Sequence, residues 1–231
     1  MNEHRHKVGD ISVRLRRDGN GPPLIYLHGA AGLPEWTPFF AKLAQTYEVV
    51  MPEHPGFGTS DNPPWIRNVA DMAMYYLDFL DELNAQRVHL VGHSLGGWIA
   101  AELAVRNAAR LASLTLIAPA GVRQKGVPCG DNFIWSPEET ARNLFHDQSF
   151  AEKMLAHVPS EEQADLTLTN RFMAAKLGWE PRWLNPALER WRAHVPDVTV
   201  EILPQCGHLP QVEKADATAE RIVRFLKGNA S

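Results

Sequence analysis

The stretch from Arg87 to Leu103, RVHLVGHSLGGWIAAEL, limits what this chain can fold into more than any other. Val88, Leu90 and Val91 make an apolar run of the length of one buried strand. Gly92-His93-Ser94-Leu95-Gly96 follows without a spacer, and Gly97 to Leu103 is an Ala-rich helix-forming run. A serine in G-x-S-x-G between a strand and a helix sits on a tight, strained turn that holds its hydroxyl clear of both. Gly92 and Gly96 flank it because a Cβ at either place would strike the neighbouring strand or helix. The helix that starts there aims free N–H groups and a positive dipole end at any oxyanion formed beside the serine. The plain alternative is a Gly-rich turn whose serine only caps the helix. The strand and helix in register on either side favour the nucleophile elbow.

Other segments repeat the alternation of strand and helix. Ile11 to Arg17 alternates apolar and polar residues, as a half-exposed edge strand does. Leu24–Leu27, Tyr47–Met51, Leu111–Ala118 and Val198–Leu203 are expected to join Val88–Val91 in one parallel sheet. Helical spacing runs through Trp36–Thr46, Val69–Leu83, Pro186–His194 and Ala215–Lys227. Such an order predicts a doubly wound, mostly parallel α/β sheet with its site at the strands' carboxyl ends. Residues 122–185 break the rhythm with helical pieces at Pro137–Phe145, Phe150–His157 and Ser160–Leu177. Ser136 with Glu139, and Ser160 with Gln163, are capping-box pairs at two of their starts. These pieces are expected to form a helical cap whose apolar underside lines a substrate pocket. The chain then divides into core residues 1–121, the cap 122–185, and a closing core part 186–231.

At 231 residues and 45% hydrophobic content, the chain suits one domain with a full core. A net charge of −4 with scattered Lys and Arg carries no nucleic-acid footprint. There is no apolar run of the roughly eighteen residues a membrane span needs, and the N-terminal MNEHRHKVGDISVRLRR has no signal-peptide core. Cys129 and Cys206 lie far apart and follow no metal-ligand spacing, so reduced thiols, a cytoplasmic location and no bound metal are expected.

Two further segments carry chemistry. His28-Gly29-Ala30-Ala31-Gly32 follows Leu24–Leu27 and is made of small residues that let backbone approach a substrate. The N–H of Ala30 or Ala31 can supply a second oxyanion donor there, against the bland reading of a plain glycine turn. His208 lies in Pro204 to Pro210, past the last expected strand and late in the chain. A base that closes on Ser94 belongs at such a place; the bland reading is a turn or surface histidine.

HGAAG at His28–Gly32, PEHPGFGTSD at Pro52–Asp61, GHSLGG at Gly92–Gly97 and GHLPQVE at Gly207–Glu213 occur in this order. Together they resemble the α/β-hydrolase superfamily over nearly the whole chain. Within it, they are similar to the capped esterases and C–C bond hydrolases acting on aromatic-degradation products. The resemblance implies Ser94 as nucleophile, His208 as general base, and the Ala30 and Leu95 amides as the oxyanion hole. It implies no cofactor, and a small-molecule substrate, an apolar or aromatic acyl compound.

One departure stands out. Members of the superfamily carry a further strand after the cap, ending in an aspartate that orients the histidine. Here Trp183 to His194 passes from the cap straight into a helical run, and no apolar four-residue run lies between Leu177 and Val198. One core strand and the triad acid are therefore expected to be missing. A second place used by relatives corresponds to Ala118-Pro119-Ala120, which has no carboxylate. Asp131 is the candidate that a bent loop could bring inward, while Asp197 begins the last expected strand at the wrong end of the sheet and Glu201 lies within it. Loss of the acid would cost on the order of 10⁴-fold in turnover, about 5 kcal/mol of barrier. Three readings follow: a slow Ser–His hydrolase, a binding module of the same fold without turnover, or a chain whose C-terminal half is not firmly folded.

Overall fold

The computed structural model describes residues 1–121, 130–179 and 199–228. Its strands are β1 (Asn2–Val8), β2 (Ile11–Asp18), β3 (Pro23–Leu27), β4 (Glu48–Pro52), β5 (Val88–His93) and β6 (Leu111–Ile117). They form one sheet in the order β1-β2-β4-β3-β5-β6. The pairs β3–β4, β3–β5 and β5–β6 are parallel, whereas β1–β2 and β2–β4 are antiparallel. The helices are α1 (Pro38–Leu43), α2 (Val69–Glu82), α3 (Leu95–Asn107), α4 (Pro137–Leu144), α5 (Gln148–Ala156), α6 (Glu161–Gly178), α7 (Pro210–Glu213) and α8 (Ala215–Gly228).

Side chains alternate across a strand, and the two faces of the sheet fill two cores. Ile25, Leu27 and Leu90 pack with α2 and α3, through residues such as Met72, Tyr76, Ile99 and Leu103. Leu24, Tyr26 and Val91 pack on the other face with Phe39, Phe40 and Leu43 of α1 and Ala219, Ile222 and Leu226 of α8. Parallel strands covered by helices on both faces need such continuous apolar runs. Lys42 of α1 also reaches Asp216 and Glu220 of α8.

β1 is a strand without apolar alternation. Its residues are mostly polar and exposed, yet every position pairs with β2, from Asn2 opposite Arg17 to Val8 opposite Ile11. Backbone pairing and the reach of Arg5 to Ser12 and Asp61 hold it, so a hydrophobic pattern is not required.

The expectation that Val198–Leu203 forms the last strand is corrected. Residues 199–203 carry no strand, and Val200 and Ile202 are 67% and 85% exposed. Glu201 instead pairs with Arg221 and Arg224, which fastens the run to α8. Among the described residues, nothing pairs with the outer side of β6. The helix expected at Pro186–His194, and the interval where a strand is expected to be missing, lie outside the described residues. Between β6 and the His208 loop, α4, α5 and α6 form a helical insertion with the expected capping boxes at Ser136 and Ser160. No helix among the described residues is long and apolar enough to cross a membrane.

This packing separates two substitutions. Leu90→Ala, at a site 1% exposed, should lower unfolding stability by about 2–5 kcal/mol. Ile202→Ser should change it by no more than about 0.5 kcal/mol, as urea midpoints will show. A large loss at Ile202 would return it to a buried strand.

Candidate active site

Ser94 sits between β5 and α3 at φ 52° and ψ −117°, a conformation rarely adopted by a residue with a side chain. The surroundings force it. A Cβ on Gly96 would lie 2.1 Å from the Leu27 carbonyl oxygen, so α3 can start this close to β3 only with glycine there. Backbone bonds then lock the turn: the Ser94 N–H donates to the Ile117 carbonyl at 3.0 Å, and the Ala120 N–H donates to the Ser94 carbonyl at 2.9 Å. The strain is thus held by β3, β5 and the exit of β6 together.

His208 reaches the same point from the other end of the chain. Its Nε2 lies 2.9 Å from Ser94 Oγ, although 114 positions separate the two residues. Glu213 shapes the loop that delivers it: one carboxylate oxygen accepts from the Gly207 N–H at 2.7 Å, the other from the His146 and Asp147 N–H groups at 2.9 Å. The His208 N–H donates to the Leu144 carbonyl at 2.7 Å. His93, the variable residue of the elbow, donates from Nε2 to the His208 carbonyl at 3.0 Å. The loop is therefore fixed by the elbow, α7 and the end of α4, and no strand among the described residues delivers it.

Burial pushes His208 below the ordinary imidazole value, so its ring is neutral at pH 7. With Nε2 facing the Ser94 hydroxyl, the ring proton belongs on Nδ1 when Nε2 accepts. Among the described residues, no carboxylate bonds the His208 ring. Asp131 is engaged in its own turn, where its Oδ1 accepts from the Phe133 N–H at 3.1 Å. The structure thus brings Ser94 and His208 together and leaves Asp131 out of that contact.

The loop after β3 completes the site. His28 Nδ1 is 2.8 Å from the Gly29 carbonyl and its Nε2 takes the His54 N–H at 2.9 Å. A carbonyl can only accept and an amide N–H only donate, so His28 carries its proton on Nδ1. The Gly29 carbonyl also accepts from the Gly32 N–H at 3.1 Å. In a trans peptide the C=O and N–H point opposite ways, so pinning this carbonyl turns the Ala30 N–H to the other side. Gly29 itself lies against Ser94, with an added Cβ only 3.2 Å from the serine Cβ. Among the described residues, neither the Ala30 nor the Leu95 N–H has an acceptor. A hydroxyl next to a neutral imidazole, with unoccupied amides nearby, can attack a carbonyl carbon and hold the resulting charge.

A second imidazole backs the first. His54 Nε2 donates to the His28 carbonyl at 2.9 Å, which leaves its Nδ1 to accept from the Tyr76 hydroxyl. Burial drives His54 down to about 4 and His93 down to about 3, the latter helped by neighbouring His208. His93, His54, Tyr76 and Glu213 have no role in the sequence reading. Their partners lie far away along the chain, and a variable motif position gives no signal of its own.

The α/β hydrolase fold model matches residues 22–185. The chain belongs to this family. A dihydrolipoyllysine-residue acetyltransferase component of the acetoin cleaving system, from Cupriavidus necator, is 38% identical over 116 residues, 49% of this chain and 31% of that protein. The chain thus matches about a third of the length of that relative. The 2-hydroxymuconate semialdehyde hydrolase of Pseudomonas putida is 24% identical across 93% of this chain and 90% of its own. Among solved structures, a membrane phospholipase A described as a bacterial virulence factor superposes with a TM-score of 0.73 at 26% identity, over 99% of this chain and 86% of that one. The 2-hydroxy-6-oxo-6-phenylhexa-2,4-dienoate hydrolase of Rhodococcus sp. strain RHA1 gives 0.76 at 19% identity over 98% of both chains, a likeness of fold.

The buried imidazoles set a pH dependence of stability. His54 and His93 titrate near 4 and near 3 when folded and near the ordinary 6.5 when unfolded. Between those values the unfolded chain binds more protons, so stability is present above about pH 6.5 and is lost as pH falls toward 4. Each imidazole adds a slope of about 1.4 kcal/mol per pH unit in this window. Urea midpoints should fall steadily from pH 7 to pH 5, and less steeply in His54→Gln.

Proposed function

We propose that this member of the α/β hydrolase family is a serine hydrolase of small carboxylic esters, or of the C–C bond of an activated ketone. The observation that carries this reading is the 2.9 Å contact of His208 Nε2 with Ser94 Oγ on the strained elbow. In this mechanism His208 Nε2 takes the Ser94 proton as Oγ bonds to the substrate carbonyl carbon. The tetrahedral oxyanion is held by the Ala30 and Leu95 N–H groups. Its collapse breaks the bond to the leaving group, which takes the proton from His208, and leaves an acyl-serine. Water, deprotonated by the same imidazole, then releases the acid. The helical insertion serves as the cap, and its apolar side chains favour an apolar or aromatic acyl group.

No carboxylate among the described residues bonds the His208 ring, which favours a dyad over a triad, and so a slow enzyme. The imidazolium formed in each step has no carboxylate among the described residues to steady it. The same observation is what a non-catalytic binding module of this fold would present, and the two readings differ in whether Ser94 reacts.

A fluorophosphonate probe should label Ser94 and spare Ser94→Ala. The Ser94→Ala variant should lose hydrolysis of p-nitrophenyl esters while keeping its unfolding midpoint. An unlabelled parent would favour the binding module, and undiminished turnover in the variant would move the nucleophile elsewhere. For a dyad, parent turnover should fall below the ordinary range of about 1–10³ s⁻¹.

Hydrolysis should also persist below pH 6.5. The base form of His208 is the active one, and burial lowers its pKa, so the acid limb of the kcat profile moves to lower pH than an exposed histidine would give. A limb centred above 6.5 would contradict the neutral, buried base.

A further inference from the structure

Asn170 is a polar residue in the middle of α6, 8% exposed, and its carboxamide spans two loops of the core. Its Nδ2 donates to the Ala31 carbonyl at 2.9 Å, and its Oδ1 accepts from the Gly58 N–H at 2.8 Å. Both partners are backbone groups of fixed polarity, so the orientation of the amide is unambiguous. The core is shaped to receive it. Gly32 has φ +99°, and a Cβ there would lie 2.3 Å from Asn170 Nδ2. Three residues along the same helix face, Met173 fills the matching space at Gly56, where a Cβ would fall 2.4 Å from its Cε. Two glycines in left-handed conformations thus open the loops after β3 and β4 to the side chains of α6.

We propose that Asn170 is a positioning residue for the oxyanion loop, which makes the seating of α6 a condition for the parent rate of turnover. The proposal rests on the assignment of the Ala30 N–H as an oxyanion donor. Ala31 follows Ala30 directly, and the turn from Gly29 to Gly32 is closed from inside by the Gly32 N–H to Gly29 carbonyl bond. Asn170 closes it from outside. Without the carboxamide the Ala31 carbonyl loses its donor and Gly58 its acceptor, and a buried, unpaired peptide group is relieved only if the loop shifts. A shift of that peptide moves the neighbouring Ala30 N–H. Oxyanion stabilisation depends on a donor held near 3 Å from its charge, and loss of a whole donor costs on the order of 10²–10³-fold in kcat. A loosened donor falls short of that, at roughly tenfold or more. Opening of α6 would disarm the site in the same way, so the helix that covers the substrate also sets the loop that stabilises its charge.

Three measurements test this on the full chain with p-nitrophenyl acetate. Asn170→Leu, of similar size with no polar atoms, should lower kcat about tenfold or more with KM within about threefold of the parent, measured well below its melting temperature. Asn170→Asp carries a pH signature that a merely structural residue would not. A protonated carboxyl can donate to Ala31 and accept from Gly58 as the amide does, whereas the ionised form faces the Ala31 carbonyl with a negative charge. Its kcat divided by that of the parent should therefore rise as pH falls from 8 to 5, His208 titration being common to both. Parent-like kcat in Asn170→Leu, or a flat ratio in Asn170→Asp, overturns the proposal. Amide hydrogen exchange gives a readout that needs no turnover. Asn170→Leu should quicken exchange in residues 29–33 and 56–59 but not in 24–27. Should the parent lack Ser94-dependent turnover, the hydrolase reading fails instead. Exchange then decides the positioning role: selective quickening upholds it, and unchanged exchange overturns it.

Discussion

The approach of Gly96 to the end of β3 is the contact on which the rest of the site depends. With only hydrogen at that position, α3 starts against the Leu27 carbonyl, and Ser94, the residue before α3, is held at φ 52°. Ser94 is then lifted above the carboxyl end of the sheet, and its backbone is tied to the exit of β6. The loop after β3 can lie beside it because Gly29 has no side chain to intervene. Strand order does the remainder, since β3 is the neighbour of β5 and carries its loop to the same end. Stability stored in the two buried cores holds this strained turn in place.

Around Ser94 the structure relies on neutral groups of settled polarity. His28, His54 and His93 each have a ring nitrogen facing a backbone carbonyl, and burial keeps all three uncharged at neutral pH. Fixed tautomers make them reliable dipoles, and a low-dielectric interior strengthens each bond they form. The charged member is Glu213, set at the back of the His208 loop, where its two oxygens take three backbone N–H groups. It holds the loop's shape and leaves the His208 ring to face Ser94.

The elbow is legible in the sequence because its requirements are local: an apolar run, two glycines, a serine and a helix start are all adjacent. The parallel strands and their helices are legible for the same reason, as is the pairing of His208 with Ser94 once the motif order is recognised. β1 is not, since its pairing with β2 is satisfied by backbone while Glu3, His4, Arg5 and Lys7 remain in water. Val198–Leu203 misleads in the opposite sense. Its alternation of apolar residues describes a strand, but a strand also needs a neighbour, and Glu201 is held by arginines of α8 instead. Asn170 carries no local signal, because what it does is defined by backbone groups 112 and 139 positions away along the chain.

The helical insertion is fastened near its two ends. At one, the Leu144 carbonyl and the His146 and Asp147 amides grip the His208 loop; at the other, α6 is seated by Asn170 and Met173. The link between α5 and α6, residues 157–160, is exposed and bonds to neither anchor. Insertions or deletions there would alter the helical insertion at a point apart from Ser94, His208 and the loop after β3. Evolution thus has a place in this chain where length can drift while the contact between His208 and Ser94 keeps its geometry.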